Sequence, residues 1–490
     1  MTTSVLQLTA DPPDEGALGG IQVHVATLAR AAASEVTMHT AHSSGGELRV
    51  HLWSPGSFGS SRNPEGPGRL VARLPLRTRG TTSAPGGLES AITAAIVGTG
   101  ARVLHAHSPL LGAVAIANAA RRTSVRLAVT LHDHSLVCEN YDLLERGERF
   151  CGIPTDLSRC DLCLQATLGR PSGAILEHRD AMRTLVSSTD AFVAPSDSVL
   201  DLVRRVHPIV GERAHRIDWG VPASDPTAHR GPAAGPGPLA VAVVGVLSRE
   251  KGRERLPALL SACRDLPLTW HFFGATEGGS VEDLRRSAPR VVIHGAYRRP
   301  ALAERLHRAG CHLALLPSIK PESFSLVLSE VLAAGLPVVV SDLGALPERV
   351  VRDGFGWAFD PFSPLTLSRL LADLSTNPHR VNTAAAHVRA RPERAEQAMA
   401  DDHVALWTAL RNQPERWVRD VPAGIEDAWV RGVDDATRER EHPLSRLVSL
   451  VTALRGTDFY RDLPLRRALP ESTRKAVEAA IVRLRGFGRP

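Results

Sequence analysis

Aromatic residues are scarce, at 4% of 490 positions, and that scarcity argues against a surface on which nucleic-acid bases stack. No apolar run reaches the ~18–20 residues that cross a bilayer; the longest, Leu239 to Leu247, has the length of a strand. The opening residues Met1 to Thr9 carry neither a basic region nor a long apolar one, so no secretory leader is expected and the chain is expected to work in the cytosol. Cysteine is sparse, with six in the chain, too few for a secreted disulfide framework. Lysine is rarer still: Lys251, Lys320 and Lys475 are three of 58 basic residues. What remains is an ordinary globular composition, 43% hydrophobic and 22% charged, which excludes wholesale disorder. The net charge is +6, and His442 to Pro490, with ten Arg/Lys against four Asp/Glu, accounts for all of it. A near-neutral body with a basic tail is the expectation.

The first strand-sized run, Ser4 to Thr9, breaks into a loop ending at Gly19 and Gly20, and an amphipathic helix follows through Ile21, Val25, Leu28 and Ala29. Strand, glycine loop and helix open a nucleotide- or phosphate-binding α/β unit, although the G-x-G-x-x-G dinucleotide fingerprint is missing from it. Further apolar runs at Val103 to His105, Leu127 to Thr130 and Ala191 to Ala194 alternate with polar or helical sequence, which predicts a parallel sheet. Between Val221 and Pro238 glycine and proline dominate, as in an interdomain linker. A second series then begins, with strands expected at 239–246, 268–273, 291–294, 313–316 and 337–340, and a helix over 325–334. The prediction is two doubly wound domains facing a cleft, 1–225 and 226–395, followed by a helical extension over 396–490. Ligands are expected at the carboxyl ends of the strands.

Glu322 and Glu330 lie eight residues apart, flanking the start of the predicted 325–334 helix. The backbone N–H groups of Phe324, Ser325 and Leu326 fall in its first turn, where unpaired donors and the helix dipole suit a pyrophosphate. Glu322 can then reach sugar hydroxyls, and Glu330 a ribose diol, because a carboxylate accepts from two hydroxyls. This pattern resembles the E-x7-E signature of family 4 glycosyltransferases with the two-domain GT-B fold. The resemblance extends over Gly335 to Val339, Gly245 to Gly252, Gly19 and Gly20, and Thr130 to Asp133. It implies an enzyme that moves a sugar from a nucleotide-diphosphate donor to a hydroxyl acceptor with retention of configuration. Glu322, His132 and Lys251 would be catalytic. Gly19, Gly20, Arg249, Lys251, Gly274, Tyr297, Ser323, Phe324, Ser325, Leu326 and Glu330 would bind the donor, with Gly274 and Tyr297 near its base. The family usually carries an arginine where Val246 stands, and Arg249 is the candidate replacement. No catalytic metal is expected, since Lys251 and the helix amides would stabilise the leaving diphosphate. A sugar-nucleotide epimerase shares this fold, and a catalytically silent nucleotide-sugar-binding scaffold is the alternative from another class.

Cys138, Cys151, Cys160 and Cys163 form a C-x12-C-x8-C-x2-C cluster within an expected insertion over 138–163. That spacing predicts a structural zinc site before it predicts disulfides. His132, Asp133 and His134 offer a weaker metal alternative, because neighbours on a strand point to opposite faces. Cys263 and Cys311 read as core. In the tail, Leu444, Leu447, Val448, Leu450, Val451 and Leu454, and again Thr473 to Leu484, make basic amphipathic stripes suited to an anionic membrane surface or to packing on the body or on a second subunit. No nucleic-acid partner is expected.

Overall fold

The computed structural model describes residues 2–14, 19–54, 68–76, 87–221, 232–275, 281–391, 393–417 and 419–441. Two sheets dominate it. The first contains β1 (Ser4–Thr9), β2 (Thr37–Ser44), β3 (Glu47–Trp53), β4 (Arg69–Pro75), β5 (Val103–Ala106), β6 (Arg126–Thr130), β9 (Ala191–Ala194) and β10 (Ala214–Arg216); a small hairpin of β7 (Leu144–Glu145) and β8 (Arg149–Phe150) lies outside it. Its order is β10-β9-β6-β5-β1-β2-β3-β4. All its pairs are parallel except β2–β3 and β3–β4. The parallel series expected from the apolar runs is present, and the antiparallel edge is an addition. It arises at Gly45 and Gly46, whose φ of 59° and 82° suit the two-residue hairpin turn that matches strand twist.

The second sheet contains β11 (Leu239–Val244), β12 (Leu268–Phe273), β13 (Val291–Gly295), β14 (Leu313–Leu316), β15 (Val338–Ser341) and β16 (Gly356–Phe359), ordered β13-β12-β11-β14-β15-β16 and parallel throughout. Every residue of β11 is buried, as expected of a strand covered on both faces. Its alternation feeds two cores: Leu239, Val241 and Val243 pack on one side, Ala242 and Val244 on the other.

The chain returns to its first half at the end. Val221 bridges to Ala395, and the helix Glu396–Arg411 lies on the helix Gly20–Ala32, with Arg30 and Glu396 paired at 2.5 Å. Residues 396–411, expected in a separate extension, thus complete the first half. The helix Ile425–Glu441 also covers that half, seating Trp429 over Gly98. The basic stripes of 442–490 and residues 222–231 of the expected linker lie outside the described residues. Among the described residues no helix is long and apolar enough to cross a membrane.

Candidate active site

β11 and β14 are neighbours at the centre of the second sheet, where the strand order reverses. Crevices at such a switch point, beyond the carboxyl ends of the strands, receive ligands. Two loops emerge there. Residues 245–252 follow β11 and residues 317–325 follow β14, and they are tied together by Ile319 N–H donating to the Glu250 carbonyl at 3.0 Å. Gly245, Lys251, Ser318, Glu322 and Ser325 line a cavity of 40 Å³ between them. Gly274 sits at the edge of this arrangement, its N–H on the Gly295 carbonyl at 2.9 Å.

Glu322 is 7% exposed. Its backbone is clamped by Gly344, where any Cβ would fall 2.4 Å from the Glu322 nitrogen and oxygen, and by Ala345 N–H on its carbonyl at 2.7 Å. Its carboxylate accepts from Lys251 Nζ at 2.5 Å and from the Ser318 hydroxyl at 2.9 Å. Burial alone would raise its pKa, but the Lys251 and Lys320 charges outweigh that and hold it at about 2. A buried carboxylate is thereby kept ionised, facing the cleft.

Ser325 turns the chain into the helix Leu326–Ala333 with φ of 72°, and its hydroxyl caps Leu328 N–H at 3.3 Å. A non-glycine residue in this region is strained by roughly 1–3 kcal/mol and has to be held. Arg349 holds it: the buried guanidinium donates to the Phe324 and Ser325 carbonyls at 2.9 and 3.1 Å, pairs with Glu393 at 2.8 Å, and lies 3.8 Å from the Phe324 ring centroid. Phe324 itself is core, packed against Trp219 at 5.0 Å, so only its main chain is available to a ligand. Arg349→Met leaves Glu393 buried without its partner and is expected to cost about 3–5 kcal/mol of stability, read from urea unfolding.

One turn along the helix, Glu330 accepts from the Tyr297 hydroxyl at 3.1 Å and pairs with Arg299 Nε at 3.1 Å. Burial raises its pKa, and Arg299 and Tyr297 offset part of that rise. Glu330 and Tyr297, named separately from the sequence, are thus joined.

The first half meets these loops directly. The Ser323 hydroxyl donates to the His132 carbonyl, Lys320 Nζ reaches Asp142 at 2.6 Å, and Leu326 lies against Gly20 at the start of the helix Gly20–Ala32. Glu348 accepts from the N–H groups of Asp197 and Ser198 at 3.2 and 3.0 Å. His132 departs from expectation. Its imidazole is 6% exposed and bonded to His107 at 2.8 Å, in a buried layer with His24, His105, His403 and Trp219. Burial there, reinforced by His403, lowers its pKa to about 3, so the ring is neutral, and the residue touches the 317–325 loop through its carbonyl. His24, His107 and His132 are also the group of metal-ligand type whose donor atoms lie within 4.8 Å of one another among the described residues, rather than His132, Asp133 and His134.

Arg249 also departs. It pairs with Glu254 at 3.0 Å and lies over Gly147 rather than facing Glu322. The second cation beside Glu322 is Lys320, which shares the scarcity that singled out Lys251 and could have been found the same way. Arg299 and Arg349 had no such signal among so many arginines.

Two family models match the chain: Glycosyltransferase Family 4 over residues 18–225 and Glycosyl transferases group 1 over residues 226–391. Glycogen synthase of Mycobacterium tuberculosis is 31% identical over 251 residues, 49% of this chain and 58% of that protein. Phosphatidyl-myo-inositol mannosyltransferase of Mycobacterium leprae is 42% identical over 80 residues, 16% of this chain and 21% of that protein. The chain therefore spans less than two thirds of the length of these curated relatives. Among solved structures, sucrose-phosphate synthase from Thermosynechococcus elongatus superposes with a TM-score of 0.56 at 16% identity, covering 83% of this chain and 99% of its own. HepE of Anabaena, in complex with UDP and glucose, does so with a TM-score of 0.55 at 17% identity over 83% and 99%. At such identities these two speak for the fold alone, and it is the two family models, covering both sheets and both cleft-facing loops, that place the chain among the family 4-like glycosyltransferases of the GT-B fold.

Proposed function

We propose that the chain transfers a sugar from a nucleotide-diphosphate donor to a hydroxyl acceptor, with retention of anomeric configuration. The observation that carries this reading is Glu322, buried yet ionised between Lys251 and Lys320 where the strand order reverses. Glu322 orients the sugar hydroxyls. Lys251, released from Glu322 as the donor enters, joins the N–H groups of Ser325 and Leu326 on the diphosphate. Glu330 accepts the ribose hydroxyls, with Tyr297 and Arg299 holding it. Catalysis then consists of positioning and of stabilising the departing charge, without a carboxylate pair of the glycosidase kind. The mannosyltransferase and glycogen synthase relatives, and the UDP in the HepE structure, support a nucleotide-sugar donor.

A thermal-shift screen against UDP-, GDP-, ADP- and dTDP-sugars tests this. A ligand at 100 times its Kd stabilises the native state by ~2.7 kcal/mol, so the true donor stands out. No shift with any of the four counts against the reading. With the responding donor, Glu330→Ala is expected to weaken binding by about 1–3 kcal/mol, the loss of a charged hydrogen-bond partner, measured by calorimetry. Unchanged affinity would remove Glu330 from the ribose.

A further inference from the structure

We propose that Cys138, Cys151, Cys160 and Cys163 hold one zinc ion, and that this ion fixes the segment from which Asp142 grips Lys320 across the cleft. The metal site stands independently of the sugar-transfer reading; only its consequence for the donor loop draws on it.

The four cysteines come from three pieces of backbone. Cys138 closes the turn after β6, with its N–H on the His134 carbonyl at 3.2 Å. Cys151 follows β8. Cys160 and Cys163 lie one turn apart on the helix Leu157–Leu168, which Asp156 caps through Ser158 N–H at 3.0 Å. All four line one cavity of 30 Å³. Two sulfurs already accept backbone N–H groups, Cys163 from Arg146 at 3.3 Å and Cys151 from Ile153 at 3.4 Å. Such second contacts orient a sulfur for a metal.

The backbone here is strained, even where Leu143 and Ile153 pack on the core of the first half. Five described non-glycine residues have positive φ, and Leu143, Arg146 and Ile153, at 54°, 51° and 55°, are three of them. A β-branched residue such as Ile153 rarely adopts that conformation, and each such residue stores roughly 1–3 kcal/mol. Against this the helix Leu157–Leu168 contributes one residue, Leu164, to a buried cluster with Ala174 and Ile175. Four thiolate bonds would hold the strained turns. A tetrahedral shell with bonds of about 2.3 Å spaces its sulfurs about 3.8 Å apart. These sulfurs stand wider, since they form no group within 4.8 Å of one another, so the ion draws the turns and the helix inward. A closed shell of four thiolates is the ligand set of a structural zinc site, and iron is the competing metal, which elemental analysis distinguishes.

The segment between Cys138 and Cys151 touches both donor loops. Asp142 accepts from Lys320 at 2.6 Å, and Gly147 lies beneath Arg249, where a Cβ would fall 2.9 Å from Nη1. Losing the ion therefore frees Lys320, and with it one of the two cations beside Glu322.

Elemental analysis of the full-length protein, purified without chelators, is expected to give about one zinc per chain. The double variant Cys160→Ser/Cys163→Ser is expected to fall below a fifth of that, while Cys263→Ala keeps it. Should the double variant fail to fold, cobalt substitution of the wild type decides: intense near-ultraviolet thiolate-to-cobalt charge transfer is expected, and its absence overturns the site. Zinc-free or iron-loaded wild type overturns it too, as does zinc retained by the double variant, which would move the ion to His24, His107 and His132. For the link to the cleft, chelation is expected to raise amide exchange at least tenfold over residues 318–325, as Asp142→Asn does with zinc still bound. Unchanged exchange there on chelation refutes that link. A zinc-loaded protein that binds no sugar nucleotide would leave this site standing and remove the sugar-transfer reading.

Discussion

Glu322→Gln is expected to lower sugar transfer by two to three orders of magnitude while the nucleotide still binds. Glutamine keeps the shape and can still accept from the Ser318 hydroxyl, now 2.9 Å from the carboxylate. It removes the one negative charge between Lys251 and Lys320, and with it the alignment of sugar hydroxyls and the counter-charge in the reacting site. Removing a single preorganised electrostatic group from such a site typically costs ~2.7–4 kcal/mol of barrier, or 10²–10³ in rate. Nucleotide affinity rests on Glu330 and the helix amides and should change by less than tenfold. Lys251, no longer engaged at 2.5 Å, becomes freer to meet phosphate. Single-turnover kinetics beside calorimetry separate the two effects. Equal, small losses in both would mean that Glu322 is a structural anchor only.

The protein is also expected to lose its fold between about pH 6 and pH 5. Burial holds His24, His105 and His107 well below the ordinary value of 6.5, His132 at about 3, and His39, His42, His51, His134 and His403 at about 4. Each folded-state pKa is depressed and the folded ring is neutral, so the unfolded chain binds more protons below pH 6.5. The stabilisation is complete above that value and is lost as pH falls toward 4. At pH 5.5 each neutral ring favours unfolding by on the order of 1 kcal/mol. These nine together amount to on the order of 10 kcal/mol, comparable to the whole stability of a typical domain. Melting temperature followed from pH 7.5 to 5 should fall steeply, with proton uptake on unfolding. A flat profile would mean that these imidazoles are already charged or solvated in the native protein.

The parts of the site legible in the sequence are those whose geometry is local. Glu322 and Glu330 straddle a helix start, and the loop and helix that carry them follow an apolar run of strand length, so their place at the cleft follows from a few adjacent elements. Lys251 was conspicuous by scarcity. What stayed hidden depends on distant returns of the chain. His132 looked like a residue at a strand end aimed into the cleft. It is buried because residues 396–411 come back and set His403 and Trp407 beside His105. Arg349 steadies the strained Ser325 from 24 positions away, and no local pattern marks it. Arg249 was assigned to phosphate by position alone, and the hairpin carrying Gly147 takes its place beside it instead. The antiparallel edge at Gly45 and Gly46 was readable from the glycine pair and from β3, where Glu47, Arg49 and His51 alternate with Leu48, Val50 and Leu52, a signal overshadowed by the apolar runs of the parallel strands.

Phosphorus NMR of the chain incubated with UDP-, GDP-, ADP- and dTDP-sugars tests the central claim most directly. With the cognate donor and no acceptor, slow appearance of free nucleoside diphosphate is predicted, absent when Glu322→Gln replaces the wild type. A donor whose sugar–phosphate bond stays intact while its sugar is epimerised, or four donors left wholly unchanged, would contradict the account.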